Sequence, residues 1–215
     1  MYLLRAISGI RRNDLCVRLL KSRSFCCTAK MSAQNACVLL AHGSEEMEAV
    51  IVIDVLRRAG LKVTVAGVDG TELKCSRDIV IKADKSLEDA RKEKFDVVVL
   101  PGGLKGSETF CANAKVGEML KEQESSGRTI GAICAAPMAL AAHNIGKGKN
   151  VTIYPSMESK MEGYTCKEDR VVVDGKLITS RGPGTAFDFA CTLVRELLGA
   201  EKAQETAKPM LYEFK

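Results

Sequence analysis

Histidine is nearly missing: the 215 residues hold two, His42 and His143. A Cys–His–acid hydrolase needs a histidine well after its nucleophile with an acid nearby, and none follows His143. Cysteine peptidases of similar architecture that place histidine directly after the nucleophile are excluded too, because Ala135 stands behind Cys134. There is no C-x-x-C pair, no G-x-G-x-x-G and no Walker pattern. No zinc framework, dinucleotide-binding turn or phosphate loop is therefore expected, and no metal or bound cofactor. The nine cysteines are scattered, which argues against a disulfide scaffold and for reduced intracellular thiols. No apolar run approaches the length of a membrane span, and no internal repeat or low-complexity tract stands out.

What is present describes one globular domain, with 46% hydrophobic and 27% charged residues on a chain long enough for a full core. The net charge of +5 is unevenly spread. Residues 1–30 carry seven Lys and Arg against the single acid Asp14, which leaves residues 31–215 slightly acidic. Such a body offers no basis for nucleic-acid binding. The leader, with Leu3, Leu4, Ile7 and Ile10 at roughly helical spacing, has the composition of a mitochondrial presequence. The competing reading is an untargeted extension, with Met31 as an internal start for a cytoplasmic form. The chain thus divides into a basic leader, 1–30, and a single domain, 31–215.

Strand and helix signals alternate along that domain. Cys37 to Ala41 reads as a strand, His42-Gly43-Ser44 as turn and cap, Glu45 to Arg58 as a helix, and Lys62 to Ala66 as a second strand. Thr71 to Ile81 reads as a hairpin-like excursion and Ser86 to Ala90 as a short helix. Asp96 to Leu100 is a buried parallel strand by its unbroken β-branched run, and Pro101-Gly102-Gly103 is the loop after it. A helix is expected over Asn113 to Glu124, then the strand and helix around Cys134. Strands follow at Asn150 to Tyr154, Arg170 to Asp174 and Lys176 to Ser180, then a helix from Pro183 through Leu198 and one near Glu201 to Ala207. The pattern predicts an α/β fold, a doubly wound and mostly parallel sheet flanked by helices, with ligands at the carboxyl ends of its strands. Gly43, Gly103 and Cys134 all follow such ends.

Cys134 sits where the small-residue strand Thr129 to Ile133 turns into a helix opened by Pro137, a nucleophile-elbow position over unpaired N–H groups. That position favours a thiolate; the competing reading is a buried cysteine used as a small hydrophobe. Glu48 shares a helix face with Ile51, Val52 and Val55, so its carboxyl should point into packed protein, with a pKa raised by desolvation and by a neighbouring thiolate. Simple interaction with the helix dipole would also explain an acid there. The N–H groups of Gly103 and Ala135 are candidate oxyanion donors, unless Gly102-Gly103 is a plain turn. His42 could border the crevice, and His143 reads as a surface or core residue.

Five segments, taken in order, resemble the ThiJ/PfpI superfamily over about residues 35–210. They are Glu45-Glu46-Met47-Glu48, Cys75-Ser76-Arg77-Asp78, Val97 to Gly103, Ala132 to Pro137, and Thr179 to Thr185. The resemblance implies a flavodoxin-like homodimer, with the helix of Glu45 to Arg58 at the subunit interface and Arg77 reaching toward the partner's site. It also implies that Cys134 oxidises to a sulfinate held by protonated Glu48. Family members are described as glutathione-independent glyoxalases, as protein and nucleotide deglycases, and as oxidative-stress sensors or redox-regulated chaperones. The implied ligands are small aldehydes, above all methylglyoxal, or glycated amines. Two positions depart from the family. Tyr154 stands at the substrate site where a histidine is usual before the proline, and Lys82 replaces a second thiol.

Overall fold

The computed structural model describes residues 34–214, and the leader, 1–30, lies outside the described residues. The chain runs through β1 (Asn35–Leu40), α1 (Glu46–Arg58), β2 (Lys62–Gly67), the short strands β3 (Glu72–Lys74), β4 (Val80–Lys82) and β5 (Lys85–Ser86), and α2 (Leu87–Ala90). It continues through β6 (Val97–Leu100), α3 (Leu104–Ala112), α4 (Ala114–Ser125), β7 (Thr129–Ile133) and α5 (Pro137–His143). The last elements are β8 (Asn150–Val151), β9 (Thr165–Cys166), β10 (Val171–Asp174), β11 (Leu177–Ser180), α6 (Ala186–Leu198) and α7 (Ala200–Ala207).

Seven strands form one sheet in the order β10-β11-β7-β6-β1-β2-β5. Every neighbouring pair is parallel except β10 with β11. The expected doubly wound, mostly parallel α/β architecture is therefore present. Alternation along the central strands builds a separate core on each face, because successive side chains of a strand point to opposite sides. Cys37 and Leu39 of β1 and Val98 and Leu100 of β6 pack with Phe110, Leu120 and Leu140 from α3, α4 and α5. Ala36, Val38, Val97 and Val99 face the other way, onto Val52 and Val55 of α1 and Phe189, Leu193 and Val194 of α6. Gly131 in β7 permits that contact, since a Cβ there would come within 3.0 Å of the Phe189 ring.

Several expected boundaries move. Residues 104–112, for which no element was expected, form α3; Gly106 lets this helix lie against Ser44, whose Oγ would be 2.7 Å from an added Cβ. The strand expected over Asn150 to Tyr154 stops at Val151, because the Tyr154 N–H turns away to donate to the Cys134 carbonyl at 2.9 Å. Pro155–Lys160 then forms a 3-10 turn, and Pro183–Thr185 forms another before α6. Ser44 is not the cap of α1. Glu45 is, its carboxylate accepting from the Glu48 N–H at 2.8 Å. Pro137 does open α5, and Asn144 closes it in the left-handed conformation at φ 58°.

Candidate active site

β1, β6 and β7 lie side by side in the sheet, and their carboxyl ends deliver Gly43, Gly102-Gly103 and Cys134 to one place. This is where the connections leaving β1 and β6 part to opposite faces, as a doubly wound sheet requires for a ligand crevice. Cys134 has φ 62°, a left-handed conformation that costs a non-glycine residue about 1–3 kcal/mol. Both of its backbone polar groups are pinned. Its N–H donates to the Ser180 carbonyl at 2.9 Å, and its own carbonyl accepts from Tyr154 at 2.9 Å.

Glu48 reaches the same point from the first turn of α1 and is completely buried. Its Oε2 accepts from the Gly102 N–H at 2.7 Å, and its Oε1 has no conventional hydrogen-bond partner. The Cys134 thiol interacts with this carboxyl. Gly102 makes the convergence sterically feasible, since a Cβ there would lie 2.5 Å from Cys134 Cβ and 2.7 Å from Glu48 Oε2. With Oε2 committed as an acceptor, Oε1 is the oxygen free to carry the proton.

Burial raises the Glu48 pKa to about 7, against the opposing effects of the Gly102 N–H and the Cys134 contact. The thiol departs from expectation. Burial first, and then the Glu48 charge, push Cys134 up to about 12, while hydrogen bonds from the Gly103 and Ala135 N–H groups pull it down. The elbow alone therefore does not favour a free thiolate: α5 is a short helix, and the sulfur is largely desolvated beside a carboxyl. The two acids titrate as a pair, and a thiolate forms readily only while the proton stays on Glu48. The N–H groups of Gly103 and Ala135, the candidate oxyanion donors, lie against the sulfur.

A cavity of about 570 Å³ opens over the sulfur, lined by Arg77, Leu104, Ala135, Tyr154, Met157 and Pro183 among others. Tyr154 lies on this wall, half exposed. Arg77 sits on the turn of the β3–β4 hairpin at the mouth, its Nη1 donating to the Ser76 carbonyl at 3.1 Å. That turn is anchored by a residue that sequence reasoning passed over. Buried Glu46 accepts from the Arg77 N–H and the Ser76 hydroxyl, each at 2.8 Å. Burial opposes its charge, but these and other N–H donors outweigh it and hold the carboxyl below its ordinary value. The signal was the unbroken acidic run Glu45-Glu46, which reads equally well as a helix-dipole pair.

Neither histidine joins the site. His42 Nδ1 accepts from the Lys74 N–H at 3.0 Å, and His143 Nε2 pairs with the Phe110 carbonyl at 2.8 Å. Among the described residues no group of three or more His, Cys, Asp or Glu is arranged to hold a metal ion.

Residues 34–196 match the DJ-1/PfpI family. The chain belongs to that family. It is 54% identical over 185 residues to protein dj-1beta of Drosophila melanogaster, covering 85% of this chain and 99% of that protein. The crystal structure of Drosophila melanogaster DJ-1beta superposes with a TM-score of 0.84 at 53% identity, covering 85% of this chain and all of that one. A glutathione-independent glyoxalase of Caenorhabditis elegans, DJR-1.2, is 40% identical over 184 residues, covering 84% of this chain and 98% of that protein. The flavodoxin-like frame read from the sequence is the frame of this family.

The raised Glu48 pKa carries a stability signature. The folded state holds a proton that the unfolded chain releases near the ordinary carboxylate value of 4.5, so this contribution is complete below that value and is lost as pH rises through about 7. Glu48→Gln, a neutral isostere, should therefore gain stability relative to the parent between pH 5 and 8, by an amount of the order of 3 kcal/mol. Paired urea titrations at several pH values measure it, and a difference that stays constant with pH would contradict the assignment.

Proposed function

We propose that this family member is a stress-protective enzyme of the glutathione-independent glyoxalase type, acting on methylglyoxal or on its early glycation adducts. The observation that carries the reading is the pairing of Cys134 with a buried, proton-holding Glu48 beneath two backbone N–H donors. The sulfur adds to the aldehyde carbon, and the charge developing on the carbonyl oxygen is stabilised by the N–H groups of Gly103 and Ala135. Glu48 gives its proton to that oxygen. As a carboxylate it then takes the hydrogen from the former aldehyde carbon and returns it to the adjacent carbon through an enediol. Water cleaves the resulting thioester, so methylglyoxal and one water give lactate and the free thiol. Addition to the carbonyl-derived carbon of a glycated amine would begin deglycation in the same way.

Tyr154 and Arg77 line the cavity and are assigned to substrate contact and to the rim. The assembly we propose is a homodimer using α1, on which Met47 and Val50 are about half exposed at 54% and 50%. Its Arg77 would stand at the edge shared with the partner. No described helix is long and apolar enough to cross a membrane. The composition of residues 1–30 supports import into mitochondria, with Met31 starting a cytoplasmic form.

Methylglyoxal turnover by purified protein tests the enzyme. General acid–base transfer contributes about 10²–10⁴-fold, so Glu48→Gln should lower kcat by that order while addition to the sulfur stays detectable. Cys134→Ser should abolish turnover, and full activity in that variant would sink the mechanism.

A second role at the same residue is supported by the donors around the sulfur. The N–H groups of Gly103 and Ala135 and the proton on Glu48 suit the oxygens of a sulfinate, so Cys134 can serve as a redox sensor, with a chaperone-type or regulatory response to its new charge. Two equivalents of peroxide convert the thiolate to sulfinate and release two waters. Peptide mass analysis after limiting peroxide should find two added oxygens on Cys134 first. Earlier oxidation of the partly exposed Cys111 or Cys166 would remove this role.

A further inference from the structure

The cavity over Cys134 is larger than a three-carbon aldehyde requires; about 570 Å³ falls in the range that holds drug-sized molecules. It also has a neighbour. A second cavity of about 720 Å³ opens between α3, α5 and the 3-10 turn at Pro155–Lys160, and Leu104 and Met157 line both spaces. Ala112, Met138, Ala141 and Ala142 give this second space an apolar lining. Its charged groups are Glu108, Glu162, Lys147 and Lys160, two of each sign and all exposed, so it makes no demand for a charged occupant.

Leu104 and Met157 are the side chains that the two spaces share. Leu104 is 56% exposed and directly follows Gly103, whose N–H points at the sulfur. A chain leaving the reacting carbon therefore meets Leu104 at once. Met157, on the other side, has an unbranched thioether side chain that adapts its shape to what lies against it, as does Met138 beyond.

Resting on the glyoxalase reading, we propose that the second cavity is a subsite for an apolar tail. The preferred substrates are then 2-oxoaldehydes that carry an unbranched hydrocarbon chain, with methylglyoxal as the truncated member of the series. The chain crosses Leu104 and Met157 and ends against Ala141 and Ala142. The chemistry at Cys134 is unchanged: the sulfur bonds to the aldehyde carbon, the carbonyl oxygen takes a proton, and water later releases the 2-hydroxy acid. The tail adds binding alone.

The test is a series of 2-oxoaldehydes from methylglyoxal to 2-oxodecanal. kcat/KM should rise roughly 2–4-fold per methylene until the second cavity is filled. In Ala142→Asp, which puts a charge on the cavity lining, the ratio of 2-oxodecanal to methylglyoxal should collapse toward one. A flat series with active methylglyoxal turnover overturns the subsite and leaves the glyoxalase reading standing. If no member is turned over, that reading fails, and protection of Cys134 from iodoacetamide by simple n-alkanals decides the subsite separately. Octanal protecting at much lower concentration than propanal, with the advantage lost in Ala142→Asp, supports it. Equal protection by the two aldehydes overturns it.

Discussion

One proton shared between Glu48 and Cys134 is the constraint on which the site depends. Both groups are acids, both are desolvated, and together they can hold one negative charge far more easily than two. If the proton sits on sulfur, Glu48 is a buried carboxylate with a single N–H to balance it. If it sits on Glu48, the charge falls on a sulfur facing two N–H donors, and Glu48 becomes a donor itself. The second arrangement is the one that produces a nucleophile and an acid in the same step. A histidine would do this differently, by accepting a proton and becoming a cation. With carboxyl in place of imidazole, the acid that serves the site is neutral while it holds its proton.

The rest of the fold brings these two side chains together and keeps them from relaxing apart. The parallel strands β1, β6 and β7 deliver three loops to one edge, and α1 packs its Val52 and Val55 into the core so that Glu48 is carried inward on the same face. Gly102 leaves the space between α1 and the elbow free of a Cβ, and Gly103 does the same against the turn of Gly43 to Glu45. The strain at Cys134 is supported by β11 through Ser180 and by the segment after β8 through Tyr154. A change at Tyr154 thus bears on the elbow through its backbone as well as on the cavity through its ring. Glu46 does for the hairpin turn of Arg77 what Ser180 and Tyr154 do for Cys134: it fixes a mouth residue from behind.

Much of this was legible in the residues, and the failures have physical causes. The runs at Val97–Leu100 and Thr129–Ile133 identified the central strands because both faces are covered and apolarity is continuous. Glu48 stood out because a carboxylate on an apolar helical face needs a partner. α3 was missed because Gly106 and Ser107 weaken local helical preference, and only packing against Ser44 explains Gly106. β8 was drawn too long because the hydrogen bond that ends it runs from Tyr154 to Cys134, far back in the chain and beyond any local pattern. The elbow suggested a thiolate because a helix start is visible in sequence, whereas the depth of burial and the charge beside the sulfur are not. The leader's composition suggests import, but residues 1–30 lie outside the described structure.

The central claim concerns where a proton resides, and infrared difference spectroscopy reads that directly. Comparing the parent with Glu48→Gln at pH 6, the account predicts a carbonyl stretch of a neutral carboxylic acid that is present in the parent and missing in the variant. On raising the pH through about 7, that band should give way to a carboxylate band in the parent. A parent spectrum showing only ionised carboxylates at pH 6 would contradict the account.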